Sequence, residues 1–163
     1  LVAGLDVSEA EAEHNRAVEA LAQNRVLEAI SANTRAVLLA PAEPRYYEEL
    51  GYALLAKRMS DKAAAAFRSA LDRDAGAIRA RLGLGFALQR LGDLDGSIET
   101  LEQVVAQTPD DTHARSRLAI SYYYAERDVD AWRHVHAVEA RGAQVPPQFR
   151  ALLAARTPET SGS

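Results

Sequence analysis

Apolar residues recur along this chain at intervals of three and four, the spacing that lines one face of an α-helix. Leu84, Leu88 and Leu91 form one such stripe, and Ile98, Leu101, Val104 and Val105 form the next. Between them Gly92-Asp93 reads as a turn, because Gly tolerates a positive φ and Asp can cap the following helix. Ser60-Asp61 reads the same way one unit earlier. The pattern therefore predicts helix–turn–helix units with helices of about 12–14 residues.

These units repeat. Leu50-Gly51 returns as Leu84-Gly85 and, weakened, as Leu118-Ala119, each 34 residues after the last. Blocks starting at Ala10, Pro44, Ile78 and Thr112 align without a gap. Two columns stay small, Ala17/Gly51/Gly85/Ala119 and Ala29/Ala63/Ser97/Ala131, as expected where two helices approach closely. Two others are large and apolar in three blocks of four: Arg16/Leu50/Leu84/Leu118 and Asn33/Phe67/Leu101/Val135. Pro41 and Pro109 close the first and third blocks, with Ala75 and Ala143 at that place in the others. Arg16 and Asn33 make the first block atypical, as terminal repeats facing water tend to be. A preceding segment covering this end is the alternative. Ser8 with Glu11 reads as a capping box starting the first helix.

With these columns in place, the chain resembles a tetratricopeptide-repeat array, whose 34-residue unit carries a W-x2-L-G-x2-Y…A-x3-F…P signature. The third block supplies Leu84-Gly85, Leu88, Ser97, Leu101, Val104 and Pro109. The second supplies Tyr47, Leu50-Gly51, Leu54, Ala63, Phe67 and Ala70, and the fourth Leu118-Ala119, Tyr122 and Ala131 beside Trp132. The resemblance implies an all-α fold, a right-handed superhelical solenoid of antiparallel helix pairs. The expected organisation is an N-terminal extension with a helix cap over 1–9, then units at 10–43, 44–77, 78–111 and 112–145. Pro146-Pro147, well suited to a first helical turn, then open an amphipathic C-terminal capping helix over 146–157, with Phe149, Leu152 and Leu153 as its apolar residues. Residues 158–163, and Thr157 with them, are expected to be disordered.

In such an array the first helix of each pair lines a concave groove, so the resemblance places function on first-helix positions off the apolar stripe. These are Glu11, His14, Asn15 and Val18; Arg45, Glu48, Glu49, Tyr52 and Leu55; Arg79, Leu82, Phe86, Gln89 and Arg90; and His113, Arg117, Ile120, Tyr123 and Tyr124. Tyr52, Leu82, Phe86, Ile120 and Tyr123 make an apolar-aromatic run, with carboxylates dominating one half and arginines the other. Aromatic and Arg side chains are the usual interface hot spots. The implied partner is another protein, offering a peptide or helical segment with an apolar ridge and acidic residues. The clamp that some family members use for Glu-Glu-Val-Asp tails is largely absent: His14, Val18, Glu49 and Gly83 stand where its Lys, Arg and Asn residues belong, and only Arg79 fits.

Composition narrows the classes. Formal net charge is −4 without a block of like charges, which argues against a nucleic-acid partner. With no cysteine, disulfides, thiol nucleophiles and thiolate metal sites are excluded. No apolar run reaches the ~20 residues of a membrane span. His134 and His136 are two apart on a helix and face different ways, whereas a helical metal pair wants three or four; His14 and His113 fall in distant units. Gly83-Leu84-Gly85-Phe86 lies within a helical stripe and is no phosphate loop, and Asp110-Asp111 reads as helix capping. No enzyme activity, cofactor or metal is expected. The chain starts at Leu1, not Met, which reads as a trimmed or processed N-terminus and leaves localisation open between cytoplasm and periplasm or export. The Arg- and Ala-rich composition points to a bacterial, GC-rich source. The expected function is an adaptor in a multiprotein assembly, with bacterial secretion or pilus machinery as the context the resemblance suggests. The alternatives are a homo-oligomer built by inserting one end into a neighbour's groove, or the targeting module of a larger enzyme.

Overall fold

The computed structural model describes residues 2–159, with side chains described from residue 6. Among these residues the secondary structure is helical throughout: α1 (Val2–Ala22), α2 (Val26–Leu39), α3 (Pro44–Ala56), α4 (Ser60–Arg73), α5 (Ile78–Leu91), α6 (Leu94–Gln107), α7 (Thr112–Tyr124), α8 (Asp128–Glu139) and α9 (Pro147–Arg156). None of them is long and apolar enough to cross a membrane. The chain forms two units, Leu1–Leu91 and Gly92–Ser163. In the first, α1 packs on α2, α2 on α3, α3 on α4 and α4 on α5; in the second, α6 packs on α7, α7 on α8 and α8 on α9.

Helix starts repeat with the period of the sequence. Second helices begin at Val26, Ser60, Leu94 and Asp128, and first helices at Pro44, Ile78 and Thr112. The turns within pairs repeat more strictly than their residues do. Asn24, Arg58, Gly92 and Glu126 all have left-handed backbones, with φ of 59°, 65°, 81° and 60°. At Asn24, Arg58 and Glu126 the turn is closed by the same bonds. The residue after each donates its N–H to the carbonyl five back, as in Arg25 N to Ala20 O (2.7 Å), Met59 N to Leu54 O (2.9 Å) and Arg127 N to Tyr122 O (2.9 Å). The second turn thus falls on Arg58-Met59, before the Ser60-Asp61 expected from sequence, and Ser60 is already the first residue of α4. Asp93 does cap α6, accepting from Gly96 N at 3.0 Å.

The turns between pairs carry their own tie. Tyr47 Oη donates to Pro41 O at 3.0 Å, Arg81 reaches Ala75 O, and Arg115 Nε donates to Pro109 O at 2.7 Å. Donors and acceptors are each 34 residues apart. Each tie fastens the first helix of a pair to the carbonyl just past the end of the preceding pair, which gives that loop carbonyl a hydrogen-bond partner.

The core of the first unit is built around Phe67, fully buried on α4 among Leu54, Leu55, Ala63, Ala70, Leu84 and Leu88. Glycines face its ring from both neighbouring first helices: a Cβ at Gly51 would stand 2.6 Å from the ring, and one at Gly83 would meet it closer still. Gly51 was expected from its column; Gly83 was not. In the second unit Leu101, Val104, Leu118, Val135 and Val138 are buried, with Ser97 Oγ and Ser121 Oγ hydrogen-bonded at 2.9 Å. His134 is buried there too, stacked on Tyr122 at 5.5 Å. Burial, reinforced by Arg115 and Arg133, pushes its imidazole down to about 4.

Three expectations are corrected. Helix α1 starts at Val2 and runs through Ser8 and Glu11, so these residues are helix interior and not a capping box. Asn33, in a column that holds Phe67 and Leu101 elsewhere, is fully buried, and neither polar atom of its amide has a hydrogen-bond partner among the described residues. Residues Thr157–Glu159 are held against α8: Trp132 Nε1 donates to Thr157 O at 3.0 Å, and Glu159 pairs with His136 at 2.8 Å. The rest of the expected tail, 160–163, lies outside the described residues.

Replacing Gly83 with Ala drives a methyl into the Phe67 ring and lowers unfolding free energy by about 1–3 kcal/mol. Urea titration followed by circular dichroism reads this, and adding Phe67→Leu recovers part of the loss, because the two changes share one contact. A second expectation concerns acid. His134 binds its proton near 6.5 when unfolded but near 4 when folded, so the unfolded chain takes up more protons between those values. Its contribution is intact above about pH 6.5 and is lost as pH falls toward 4. His134→Leu should show a shallower fall in Tm across that window.

Candidate functional site

The first unit presents the exposed sides of α1, α3 and α5. Here a cation on one first helix holds an acid on the previous one. Arg45 of α3 pairs with Glu11 of α1, whose carboxylate also accepts from Tyr46 Oη at 3.1 Å. One unit on, Arg79 of α5 pairs with Glu48 at 3.0 Å and Glu49 at 3.2 Å, both on α3. The Arg79 guanidinium lies 5.3 Å from the Tyr52 ring centre, and Tyr52 Oη donates to Arg79 O at 2.7 Å. Burial raises the Glu48 carboxyl above its ordinary range in spite of Arg79. Burial also pushes the Tyr52 phenol up to about 12. Two like-charged carboxylates side by side need a cation, and Arg79 supplies it from within the chain.

The other candidates of this unit divide between core and surface. Leu55, expected in the groove, is buried in the core. Tyr52 stands edge-on to Phe67 at 5.0 Å, and Phe86 packs on the same cluster. Leu82 and Gln89 are half-buried. Arg90 is exposed, donates to Leu55 O at 3.0 Å and lies over the Phe86 ring at 5.7 Å. On α1, Val18 and Asn15 are exposed, while the half-buried His14 packs on Tyr46 at 5.1 Å.

In the second unit the structure brings candidates together around a cavity. His113, Arg117 and Ile120 of α7 line a cleft of about 470 Å³, closed on its other side by Gln144, Val145, Pro146 and Pro147. Asp111 caps α7 at this end, accepting from His113 N and Ala114 N at 2.9 Å. His113 is exposed, and Arg117 and Ile120 are half-buried. The extended 144–147 wall, with Thr112 and Ser116, is what the sequence pattern does not reveal. Pro146-Pro147 signals only a helix start; that the approach to it flanks α7 has no periodic signature.

Tyr123 and Tyr124 do not share this cleft. Tyr123 packs edge-on to Phe149 of α9 at 5.7 Å, with the Arg156 guanidinium 3.6 Å from its ring centre. It serves to dock the last helix. Tyr124 is 60% exposed beside it. Tyr123→Ala should loosen α9, and the readout is a several-fold faster tryptic cleavage at Arg150 and Arg156 with little change in overall helicity.

Comparison with known proteins bears on the whole arrangement. Residues 54–120 match the tetratricopeptide repeat family. MamA (41-end) from Desulfovibrio magneticus RS-1 superposes with a TM-score of 0.80 at 18% identity, over 91% of this chain and 85% of that one. YrrB, a TPR protein with an unusual peptide-binding site, gives 0.73 at 19% identity, over 91% and 78%. The first TPR of Spaghetti (RPAP3), bound to the HSP90 peptide SRMEEVD, gives 0.72 at 18%, over 74% and 95%. At such identities the likeness is one of fold. No curated protein sequence matches this chain.

Proposed function

We propose that this chain, which carries tetratricopeptide repeats, is a protein-interaction scaffold that holds an extended segment of a partner against its first helices. The observation that carries the reading is the α7 cleft. Three positions selected from sequence for facing the groove, His113, Arg117 and Ile120, line one cavity with the 144–147 segment. Cavities of a few hundred Å³ with an apolar wall and a few placed polar groups are the usual form of a binding site. Two proteins of like fold support the same reading: YrrB has a peptide-binding site, and the first TPR of Spaghetti (RPAP3) is bound to a peptide.

The partner's chemistry follows from the residues that line the α7 cleft, where Arg117 and His113 stand beside Ile120 and Val145. An acidic side chain next to an apolar one, the first toward Arg117 and the second toward Ile120, matches it. Placement of the module in secretion or pilus machinery stays part of this proposal.

The test is peptide selection from a random display library on the intact chain, repeated on Arg117→Glu and Ile120→Asp. Selected sequences should be rich in acid–apolar pairs and lose at least about tenfold in affinity, some 1.4 kcal/mol, on either variant. Binders equally tight on wild type and both variants would place the working surface elsewhere.

A further inference from the structure

Helix α8 has a second stripe, beside the one packed on α7, that only the end of the described chain covers. Its inward side buries Ala131, His134, Val135 and Val138. Yet Val129, Trp132, Arg133 and His136 recur at helical spacing on another side, and together they line a cavity of about 510 Å³. A helix packed on one face normally turns polar residues to the other. Here that other face carries Val129, 76% exposed, and the chain's single tryptophan, Trp132, which is only 7% exposed because Thr157 and Arg150 lie against it.

The remaining wall of the cavity is the segment Thr157-Pro158-Glu159, which follows α9. Its mode of attachment is that of a bound peptide. Trp132 Nε1 holds its main chain at Thr157 O (3.0 Å), and Thr157 Oγ1 donates to Asp128. Two residues on, the Glu159 carboxylate pairs with His136 at 2.8 Å and accepts from Arg150 Nη2 at 3.2 Å. The Trp132 ring is itself flanked by His136, stacked at 5.4 Å, and by the Arg150 guanidinium at 5.3 Å. His136 and Arg150 lower the Glu159 carboxyl below its ordinary range. These ion pairs are two-fifths to one-half exposed, and such pairs contribute little to stability. The segment is therefore fastened by geometry more than by strength.

We infer that the Trp132 face of α8 is a second docking surface, separate from the first-helix sites. It accepts an extended partner segment with a Thr-Pro-acid pattern, and the chain's own residues 157–159 are its resident competitor. Trp132 supplies the main-chain anchor, Val129 the apolar contact, and His136 with Arg150 the charge that reads the acid. Because the resident segment is tethered, it competes at an effective concentration in the millimolar range. A partner gains the surface only when it offers the same contacts at higher local concentration or adds further ones.

The experiment uses the intact chain, with Trp132 as its own fluorescent reporter and the acetylated peptide Ala-Arg-Thr-Pro-Glu as probe. Glu159→Lys places a cation against His136 and Arg150 and should release the segment, seen as a red-shifted emission and increased acrylamide quenching. Pro158→Gly, which leaves every charge in place, serves as an independent second release. The peptide should then reverse the shift and bind Glu159→Lys at least about tenfold more tightly than wild type, where the resident segment competes. Adding Val129→Asp should abolish that binding. Emission and quenching unchanged in both release variants would overturn the inference, as would peptide affinity that is equal in wild type and variant or absent from the variant. Dimerisation of Glu159→Lys or Pro158→Gly in light scattering would instead make a second copy the occupant and overturn the assignment to a partner.

Discussion

Much of the first unit depends on one aromatic ring and the space cleared for it. Phe67 is fully buried, and the helices on either side approach it with glycine: Gly51 from the same pair and Gly83 from the next. Close packing has no slack for a methyl at either place. The ring therefore sets the separation of α3 and α5 from α4. It also fixes Tyr52, which stands edge-on to it, and through Tyr52 the carbonyl of Arg79. An interior contact in this way determines where an exposed cation begins.

The period of 34 makes the helix pairs legible in the sequence, because small and large columns recur where helices must touch. What the columns do not show are features that depend on a single partner. Gly83 has Glu49 before it and Arg117 after it in register, so no column marks it. Its small size answers to Phe67 alone. The left-handed turn residues are hidden in two of the four turns. Gly92 and Asn24 are residue types that adopt this conformation readily, whereas Arg58 and Glu126 adopt it without that help. The closing bonds to the helix end hold them there, and such bonds leave no trace in side-chain type.

The candidate surface is legible in part for a related reason. Helical geometry tells which positions leave the apolar stripe, but not what lies opposite them. His113, Arg117 and Ile120 share a cleft because an extended segment happens to run beside α7. Tyr123, chosen by the same geometry, is taken up by Phe149 and Arg156 of α9. Arg45 and Arg79 are readable as groove cations, yet their neutralisation by Glu11, Glu48 and Glu49 depends on side chains 30 or more residues away for each nearest partner. Charge in a repeat array has to be judged by pairs of helices, not by halves of the sequence.

The ties at Pro41, Ala75 and Pro109 have a consequence for how such a chain can change. All three acceptors are main-chain carbonyls, and the donors are a phenol joined by the Arg73 guanidinium in one copy and a single guanidinium group in each of the other two. A fastening that reads only the peptide group is indifferent to the side chain at the receiving residue, and it tolerates any donor of the right reach. Once a unit has been duplicated, its joint survives drift in the very residues that compose it. Copies can then diverge on their outer faces while the spacing between them stays constant.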